Sequence, residues 1–283
     1  MTELKNMNDE TVYWWPEQKK LVFLRTNATP EFWDSHWLSH DVQKAITQLS
    51  GSIYWRRIFE KYFPRKGSKI LEGGCGNGQL VYALSHWGYE AVGIDFAEET
   101  IAQVKKIMPQ LDVRLGDVRN LPIETASFDG YYSGGVIEHF WEGYDDIVSE
   151  MHRVLKEGGY AIVTFPCISL LDKLKILFSG YDRFNSKEKP IDFYQFAFSL
   201  EAVKAAFKSK GFQFLKVRRR GGLGGLKRVW PLYKKVHTKL LRLGEKHKIV
   251  KKFIRLADFA LAPVCGRGVM VVFRKKPPHH KLG

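Results

Sequence analysis

The 283-residue sequence predicts an α/β fold built on a mostly parallel sheet. Two observations support this prediction: strand-like runs alternate with helical segments over residues 68–165, and the first of these strands ends in a glycine-rich turn. Strands that alternate with helices of about 10–15 residues are typical of βαβ units. A hydrophobic share of 45% is ordinary for a chain that buries a core.

The predicted elements follow in chain order. Before the alternating region, residues 39–63 have helical spacing and end at Pro64. Strands are expected at 69–72, 90–94, 111–115, 128–133 and 160–165, with helices at 78–87, 97–107 and 143–156. Further on, we expect a helix at 200–210, a strand at 212–219, a flexible stretch at 221–225, two helices within 231–262 separated at Gly244, and a closing strand at 269–274.

The glycine-rich turn runs from Ile70 to Gly78 and contains Gly74, Gly76 and Gly78. Glycines let a backbone approach a ligand closely, and the helix that follows offers its N-terminus to negative groups. Glu72 precedes the glycines, where its carboxylate can face a cationic amine or sulfonium. A tight turn without a ligand is the alternative explanation of this pattern.

Two more carboxylates follow the next two predicted strands. Asp95 ends the second strand, where it can accept both hydroxyls of a ribose, and Asp117 ends the third, within reach of an adenine amino group. Ligands of open α/β sheets bind in the crevice at the carboxyl ends of the strands. The three acids therefore predict one nucleoside site.

At these positions the sequence resembles the class I S-adenosylmethionine-dependent methyltransferases, especially the small-molecule group that includes ubiquinone and menaquinone methyltransferases. The resemblance covers residues 68–165 and continues more loosely through 194–198 and 268–273. It implies a Rossmann-like three-layer sandwich with a seven-stranded, mostly parallel sheet whose last strand is antiparallel and inserted at the edge. With it we expect a helical N-terminal cap and a helical insertion before the last strand.

The resemblance also implies roles for single residues, with S-adenosylmethionine as the cofactor. Glu72, Gly74, Gly76 and Gly78 would hold its methionine portion, Asp95 the ribose, and Asp117 with Val118 the adenine. The expected cofactor-binding set is completed by five further residues: Cys75, Asn77, Phe96, Ser133 and Gly134.

Two other enzyme classes fit the sequence less well. A dinucleotide-binding dehydrogenase prefers two residues between the last two glycines, whereas Gly76 and Gly78 are separated by one. Methyltransferases of base amines usually carry an Asn or Asp, two prolines and an aromatic residue after the fourth strand, where this chain has a run from Ser133 to Val136.

The reaction itself is assigned to Glu138 and His139, which resemble a pair common in small-molecule methyltransferases. A histidine with a pKa near neutral could take a proton from a hydroxyl acceptor, which makes oxygen our first expectation for the acceptor atom. A structural role for His139 stays open, as does a module that binds the cofactor without turnover. Candidate walls of the acceptor pocket are aromatic or imidazole side chains, each of which core packing could also explain: Trp33, Trp37, His40, Tyr181, Phe193 and Tyr194.

The formal net charge of +15 is concentrated in one segment, residues 216–255, with fifteen Lys/Arg and one acid. Its bases accompany apolar residues at helical spacing, which is typical of helices that lie on anionic membranes. Contact with the phosphates of RNA, and lysines that are simply solvated, are the two alternatives.

Four parts are predicted: a helical and aromatic cap (1–66), the cofactor-binding core (67–165), an insertion at the acceptor pocket (166–198), and a C-terminal part (199–283) with the basic helical insertion (221–265). Three scattered cysteines indicate reduced thiols rather than disulfides, and no metal site is expected. With neither a secretory signal nor a membrane-spanning stretch in the sequence, we expect a cytoplasmic protein that acts on a small-molecule or lipid-linked acceptor, with peripheral membrane contact as an option.

Overall fold

The computed structural model describes residues 10–226 and 231–277. The N-terminal part begins with a β-hairpin of strands β1 (Thr11–Trp15) and β2 (Lys20–Leu24). Helices α1 (Pro30–Leu38), α2 (Val42–Ser50) and α3 (Ile53–Tyr62) follow and supply the expected helical cap. The single helix expected over 39–63 is wrong, because Gly51 ends α2 and the Ser52 hydroxyl accepts a hydrogen bond from the Trp55 N–H to start α3.

The core alternates strands and helices as expected. Its elements are β3 (Lys69–Gly73), α4 (Gln79–His86), β4 (Glu90–Asp95), α5 (Glu98–Ile107), β5 (Asp112–Leu115), β6 (Phe128–Gly134), a 3-10 turn (Ile137–His139), α6 (Asp145–Val154) and β7 (Leu155–Pro166). Each predicted strand of the core starts within two residues of the observed strand, except the fifth. That strand was expected from residue 160 and begins at Leu155.

The C-terminal part completes the sheet and carries the helical insertion. Its elements are α7 (Leu170–Leu177), β8 (Phe193–Ala197), α8 (Leu200–Ser209), β9 (Phe212–Arg220), α9 (Gly222–Leu226), α10 (Pro231–Lys246), α11 (Lys248–Cys265) and β10 (Gly268–Lys275). The expected helix break at Gly244 is wrong, since α10 continues to Lys246 and His247 separates it from α11. Where we expected flexibility there is α9, whose Gly222 packs on the α11 backbone so closely that a Cβ would lie 2.4 Å from the Ala262 nitrogen.

The seven-stranded sheet has the order β5-β4-β3-β6-β7-β10-β9, and β1, β2 and β8 form a second sheet. Strands β3 to β7 pair in parallel, whereas β10 runs antiparallel to both β7 and β9. The expected antiparallel last strand is therefore confirmed, one position in from the edge. Because β4 and β6 flank β3 on opposite sides, the chain reverses direction across the sheet at β3, where α/β proteins form their ligand crevice.

Both faces of the large sheet are buried under helices. One face packs against α6 and α8 through side chains such as Met151 and Phe207, and the other packs against α3 and α4 through Phe59 and Leu84. Each such side chain contributes about 1.5–3 kcal/mol by its burial. This rigid sheet positions the loops at its carboxyl edge. Within the described ranges, no helix combines the length and apolarity that a bilayer crossing requires.

Candidate active site

The glycine-rich turn after β3 adopts a conformation that requires glycine. Gly74, Gly76 and Gly78 have φ angles of +77°, +49° and +70°. A Cβ at Gly76 would lie 2.4 Å from Cε2 of the Trp37 ring, and one at Gly74 would lie 2.3 Å from Cγ2 of Val136. The turn is therefore held between α1 and the end of β6, with its backbone free of side chains of its own.

Asp95 fixes this turn from the end of β4. Its Oδ2 accepts a hydrogen bond of 2.7 Å from the Gly76 N–H, and its Oδ1 accepts one of 3.0 Å from the Ala97 N–H. Burial raises the pKa of Asp95, although the backbone donors oppose that effect. The carboxylate also lines the cavity described next, so one side chain holds the turn and faces the crevice.

The first cavity, of about 310 Å³, lies beyond the carboxyl ends of β3, β4 and β6. Five residues of the expected cofactor set line it: Gly74, Asp95, Phe96, Val118 and Gly134. His139 lines it as well, as do Trp33 and Trp37 of α1, which we expected in an acceptor pocket. Arg119, Trp141 and Lys189 also line it and were not anticipated.

The remaining members of the expected cofactor set do not line this cavity: Glu72, Cys75, Gly76, Asn77, Gly78, Asp117 and Ser133. Three of them carry buried polar atoms without a hydrogen-bond partner in the described structure, namely Glu72 Oε2, Asn77 Oδ1 and Ser133 Oγ. Burial, and then the charge of Asp95, raise the pKa of Glu72 well above its ordinary value. A cationic ligand group at the turn would satisfy this carboxylate.

Asp117, for which we expected an adenine role, forms an ion pair with a neighbouring arginine. Its carboxylate accepts hydrogen bonds from Arg119 Nη2 at 2.6 Å and from Arg119 Nε at 3.0 Å. Burial raises the pKa of Asp117, but the hydrogen bonds and charge of Arg119 outweigh it, and the net shift is downward. The Arg119 guanidinium, which lies 5.0 Å from the centre of the Phe140 ring, faces the first cavity in its place.

His139 lines the first cavity from the 3-10 turn after β6. Its Nδ1 lies 2.7 Å from the Tyr194 carbonyl oxygen. A carbonyl can only accept, so Nδ1 carries the proton and Nε2 is left as an acceptor. Its ring also packs edge-on against Trp33 at 4.8 Å between ring centres. Burial lowers the pKa of His139 to about 4, so the imidazole is neutral at pH 7.

Glu138 faces away from its neighbour, into a second cavity of about 350 Å³. Fourteen residues define this second cavity: Glu10, Phe23, Trp55, Tyr132, Gly135, Glu138, Thr164, Phe165, Pro166, Gln195, Arg220, Arg267, Gly268 and Val269. Glu138 is buried, and its Oε2 has no partner in the described structure. Burial raises the pKa of Glu138 to about 8. Gly135 lines both cavities, which therefore adjoin.

The other expected pocket residues divide into two groups. Tyr194 lines neither cavity, but it packs against His139 with 5.1 Å between ring centres. Phe193 is fully buried in the core, Tyr181 donates a hydrogen bond to Asp172, and His40 is exposed at the end of α1. These last three line neither cavity.

A buried carboxylate that the sequence did not reveal anchors α1 over the site. Asp34 accepts hydrogen bonds from the Thr100 N–H at 2.7 Å and the Thr100 hydroxyl at 2.6 Å, at the N-terminus of α5. Because a carboxylate satisfies the free N–H groups of a helix start, this contact acts as an N-cap supplied from another helix. It holds the helix that carries Trp33 and Trp37.

Comparison with known proteins identifies the family. A family model described as a methyltransferase domain matches residues 71–163. Demethylmenaquinone methyltransferase of Staphylococcus aureus is 31% identical over 217 residues, which cover 68% of this chain and 89% of that protein. The chain belongs to the class I S-adenosylmethionine-dependent methyltransferases. Its cofactor is therefore S-adenosylmethionine, and the buried Glu72 carboxylate, whose Oε2 has no partner in the described structure, fits the cationic amino acid portion of that molecule.

Other methyltransferases show more limited likeness. A probable S-adenosylmethionine-dependent methyltransferase of Mycolicibacterium smegmatis is 34% identical over 129 residues, or 44% of this chain, and the chain spans about half (50%) of that relative's length. A solved structure of a putative sarcosine dimethylglycine methyltransferase from Galdieria sulphuraria has a TM-score of 0.50 at 16% identity, covering 82% of this chain and 84% of the other. The last likeness confirms the fold alone.

Proposed function

We propose that this methyltransferase transfers a methyl group to a small-molecule or lipid-linked acceptor, at an oxygen atom. The observation that carries the proposal is the first cavity, which is lined both by the glycine turn that Asp95 braces and by the neutral imidazole of His139. When bound, the cofactor supplies a methyl group activated by a positively charged sulfur. Glu72 and the glycine turn would hold its amino acid portion, Asp95 its ribose, and Phe96 and Val118 would flank its adenine.

His139 supports an oxygen acceptor through the state of its ring. With Nδ1 held by the Tyr194 carbonyl, Nε2 is the atom that can take the hydroxyl proton as the new carbon–oxygen bond forms. The lowered pKa keeps His139 unprotonated but makes it a weak base. We therefore expect positioning of the acceptor to contribute at least as much to the rate as proton removal.

The likeness to demethylmenaquinone methyltransferase supports an apolar, lipid-linked acceptor. An enzyme for such an acceptor benefits from access to a membrane, because a long apolar chain stays in the bilayer. The described structure offers a surface for this purpose on α11, the helix at the end of the basic segment.

Helix α11 exposes an apolar stripe. Ile249, Phe253 and Leu256 are 73%, 67% and 63% exposed, and their spacing of four and three residues places them on one side of the helix. The opposite side packs inward through residues such as Ala262, which is buried. Val250 is half-buried. The apolar residues of this helix are therefore divided between a side that packs on the protein and a side that is exposed.

Basic side chains accompany the exposed stripe. Lys251, Lys252 and Arg255 are exposed on the same helix, and Lys239 and Arg242 are exposed on α10. The side chains of Lys234 and Lys235, like all of Lys227 and Arg228, lie outside the described residues. An apolar stripe flanked by bases matches an anionic lipid surface, where each base contributes about 1 kcal/mol. We propose that this face of α11 docks on anionic membranes.

Flotation with liposomes tests the docking face. Phe253→Glu with Leu256→Glu should abolish binding to vesicles that contain anionic lipid, whereas Ile53→Glu, which changes an equally exposed residue on α3, should not. Binding should weaken as salt rises, because the Debye length falls from about 10 Å at 0.1 M to about 3 Å at 1 M. Failure to float, together with salt-sensitive binding to RNA, would replace the membrane proposal by the nucleic-acid alternative.

Methyl transfer is tested by formation of S-adenosylhomocysteine in mixtures of the protein, S-adenosylmethionine and candidate acceptors. Quinone precursors, phenolic lipids, glycans and RNA form the acceptor panel. Turnover with a hydroxyl-bearing lipid or small molecule supports the proposal. Cofactor binding without turnover on the whole panel would favour a binding module, and transfer to RNA would overturn the proposed acceptor class.

A further inference from the structure

The second cavity is lined by two arginines and by aromatic rings. It opens at the carboxyl ends of β6, β7 and β9, directly beside the first cavity, with Gly135 shared between them. The consecutive residues Glu138 and His139 face one cavity each. A molecule in the second cavity would therefore lie next to the methyl end expected for the cofactor.

Arg267 is a buried cationic residue in the lining of this cavity. The residue is only 5% exposed, and its Nη2 donates to Asp172 Oδ1 at 2.6 Å while its Nε donates to Asp172 Oδ2 at 2.9 Å. Its Nη1, also buried, has no hydrogen-bond partner in the described structure. A buried guanidinium nitrogen without an acceptor is costly, and a bound anion would remove that cost.

Arg220 adds a second guanidinium from the end of β9. Its Nη2 donates to the Tyr54 hydroxyl at 2.7 Å, and its guanidinium lies 4.5 Å from the centre of the Trp55 ring. No carboxylate within the described ranges forms an ion pair with it. Its orientation is therefore set by aromatic rings, and its charge is not neutralised by a protein group.

The acidic and aromatic residues that line the cavity are compatible with a negatively charged ligand. Glu138 is held in its neutral form at pH 7 by burial, and the other acid of the lining, Glu10, is exposed. Tyr132, whose pKa burial raises, stays neutral as well. Trp55 and Phe23 provide apolar walls on which a flat or apolar body can pack.

We propose that the second cavity is the acceptor site and that it selects an acceptor bearing a carboxylate or phosphate on an apolar body. Arg220 and Nη1 of Arg267 bind the anionic group, and the aromatic walls bind the remainder. The proposal rests on the proposed function in one respect, since it places the methyl donor in the first cavity. Both anion types share the same recognition chemistry, and the probes below distinguish them.

The test uses calorimetric titration of the full chain, saturated with S-adenosylhomocysteine, with phenyl phosphate, with benzoate and with uncharged benzyl alcohol. At least one anion should bind, and benzyl alcohol should bind at least about tenfold more weakly, since charged hydrogen bonds are at stake. Arg220→Gln should weaken the anion by about tenfold or more. Arg218→Gln is the matched control, because Arg218 is exposed on the same strand and does not line the cavity.

Three results would overturn the proposal: no binding of either anion, equal binding of benzyl alcohol, or equal losses in the Arg220 and Arg218 variants. Because Arg267 also holds Asp172, its lysine variant is used only as a second probe, with circular dichroism to verify folding. Binding of S-adenosylhomocysteine is measured first in each protein. Its absence in the wild type would refute the proposed function, whereas its presence without anion binding would refute only the anion site.

Discussion

Replacing Glu138 by glutamine should stabilise the protein, and the gain should depend on pH. Burial raises the pKa of Glu138 from 4.5 to about 8, and its Oε2 has no partner in the described structure. A carboxyl with a folded-state pKa above its unfolded value contributes stability that is complete below about pH 4.5 and is lost as pH rises through 8. Glutamine keeps the shape of the neutral acid and does not ionise in the unfolded chain.

The size of the effect follows from the shift in pKa. Each pKa unit corresponds to about 1.4 kcal/mol, and most of the window between 4.5 and 8 has been crossed by pH 7.5. We therefore expect Glu138→Gln to gain about 2–3 kcal/mol more in the free energy of unfolding at pH 7.5 than at pH 5. If the glutamine amide stays unpaired, it lowers the free energy of unfolding equally at both pH values, so the difference between pH 7.5 and pH 5 is unchanged.

Urea unfolding of both proteins at the two pH values measures this difference. Glu142→Gln serves as the control. It removes a carboxylate four residues away in the chain that lines the first cavity instead of the second. The reasoning is refuted if the variant gains no more at pH 7.5 than at pH 5. That result would mean that Glu138 is ionised in the folded protein, with a cationic partner nearby.

Three further outcomes are expected. His139→Ala should lower turnover by roughly 10²–10⁴-fold with cofactor affinity retained, and a loss below tenfold would assign His139 a structural role. Asp34→Ala removes the acceptor at the start of α5, so urea unfolding should show a loss of about 1–2 kcal/mol, and an unchanged midpoint would contradict its anchoring role. In Arg119→Ala the pKa of Asp117 should rise toward its ordinary value, which NMR titration of the carboxyl carbon detects; an unchanged value would mean that Arg119 does not control it.

The cofactor turn could be predicted from the sequence because its signals are local. The glycines at alternate positions and the acid at the end of the next strand belong to one βαβ unit, and the geometry of Asp95 adds only that this acid also braces the turn. The ion pair of Asp117 is a local feature that the sequence reasoning did not include. Its partner Arg119 stands two residues away along the chain.

The features that sequence reasoning missed depend on distant pairing. Strand β2 pairs with β8, far along the chain, and no local sequence signal reports that pairing. The acid partner of Arg267 is Asp172, 95 residues away. Net charge alone also did not reveal that Arg220, which belongs to the basic segment 216–255, lines the second cavity.

The proposed site is tested most directly by calorimetric titration of the chain with S-adenosylhomocysteine. The wild type should bind at a single site, and Asp95→Ala should weaken that binding by about 1–3 kcal/mol, the range for charged hydrogen bonds. Asp112→Ala, which removes an exposed acid paired with Arg114 on β5, should bind like the wild type. Unchanged affinity in a folded Asp95 variant, or no binding by the folded wild type, would contradict the assignment of the cofactor to the first cavity.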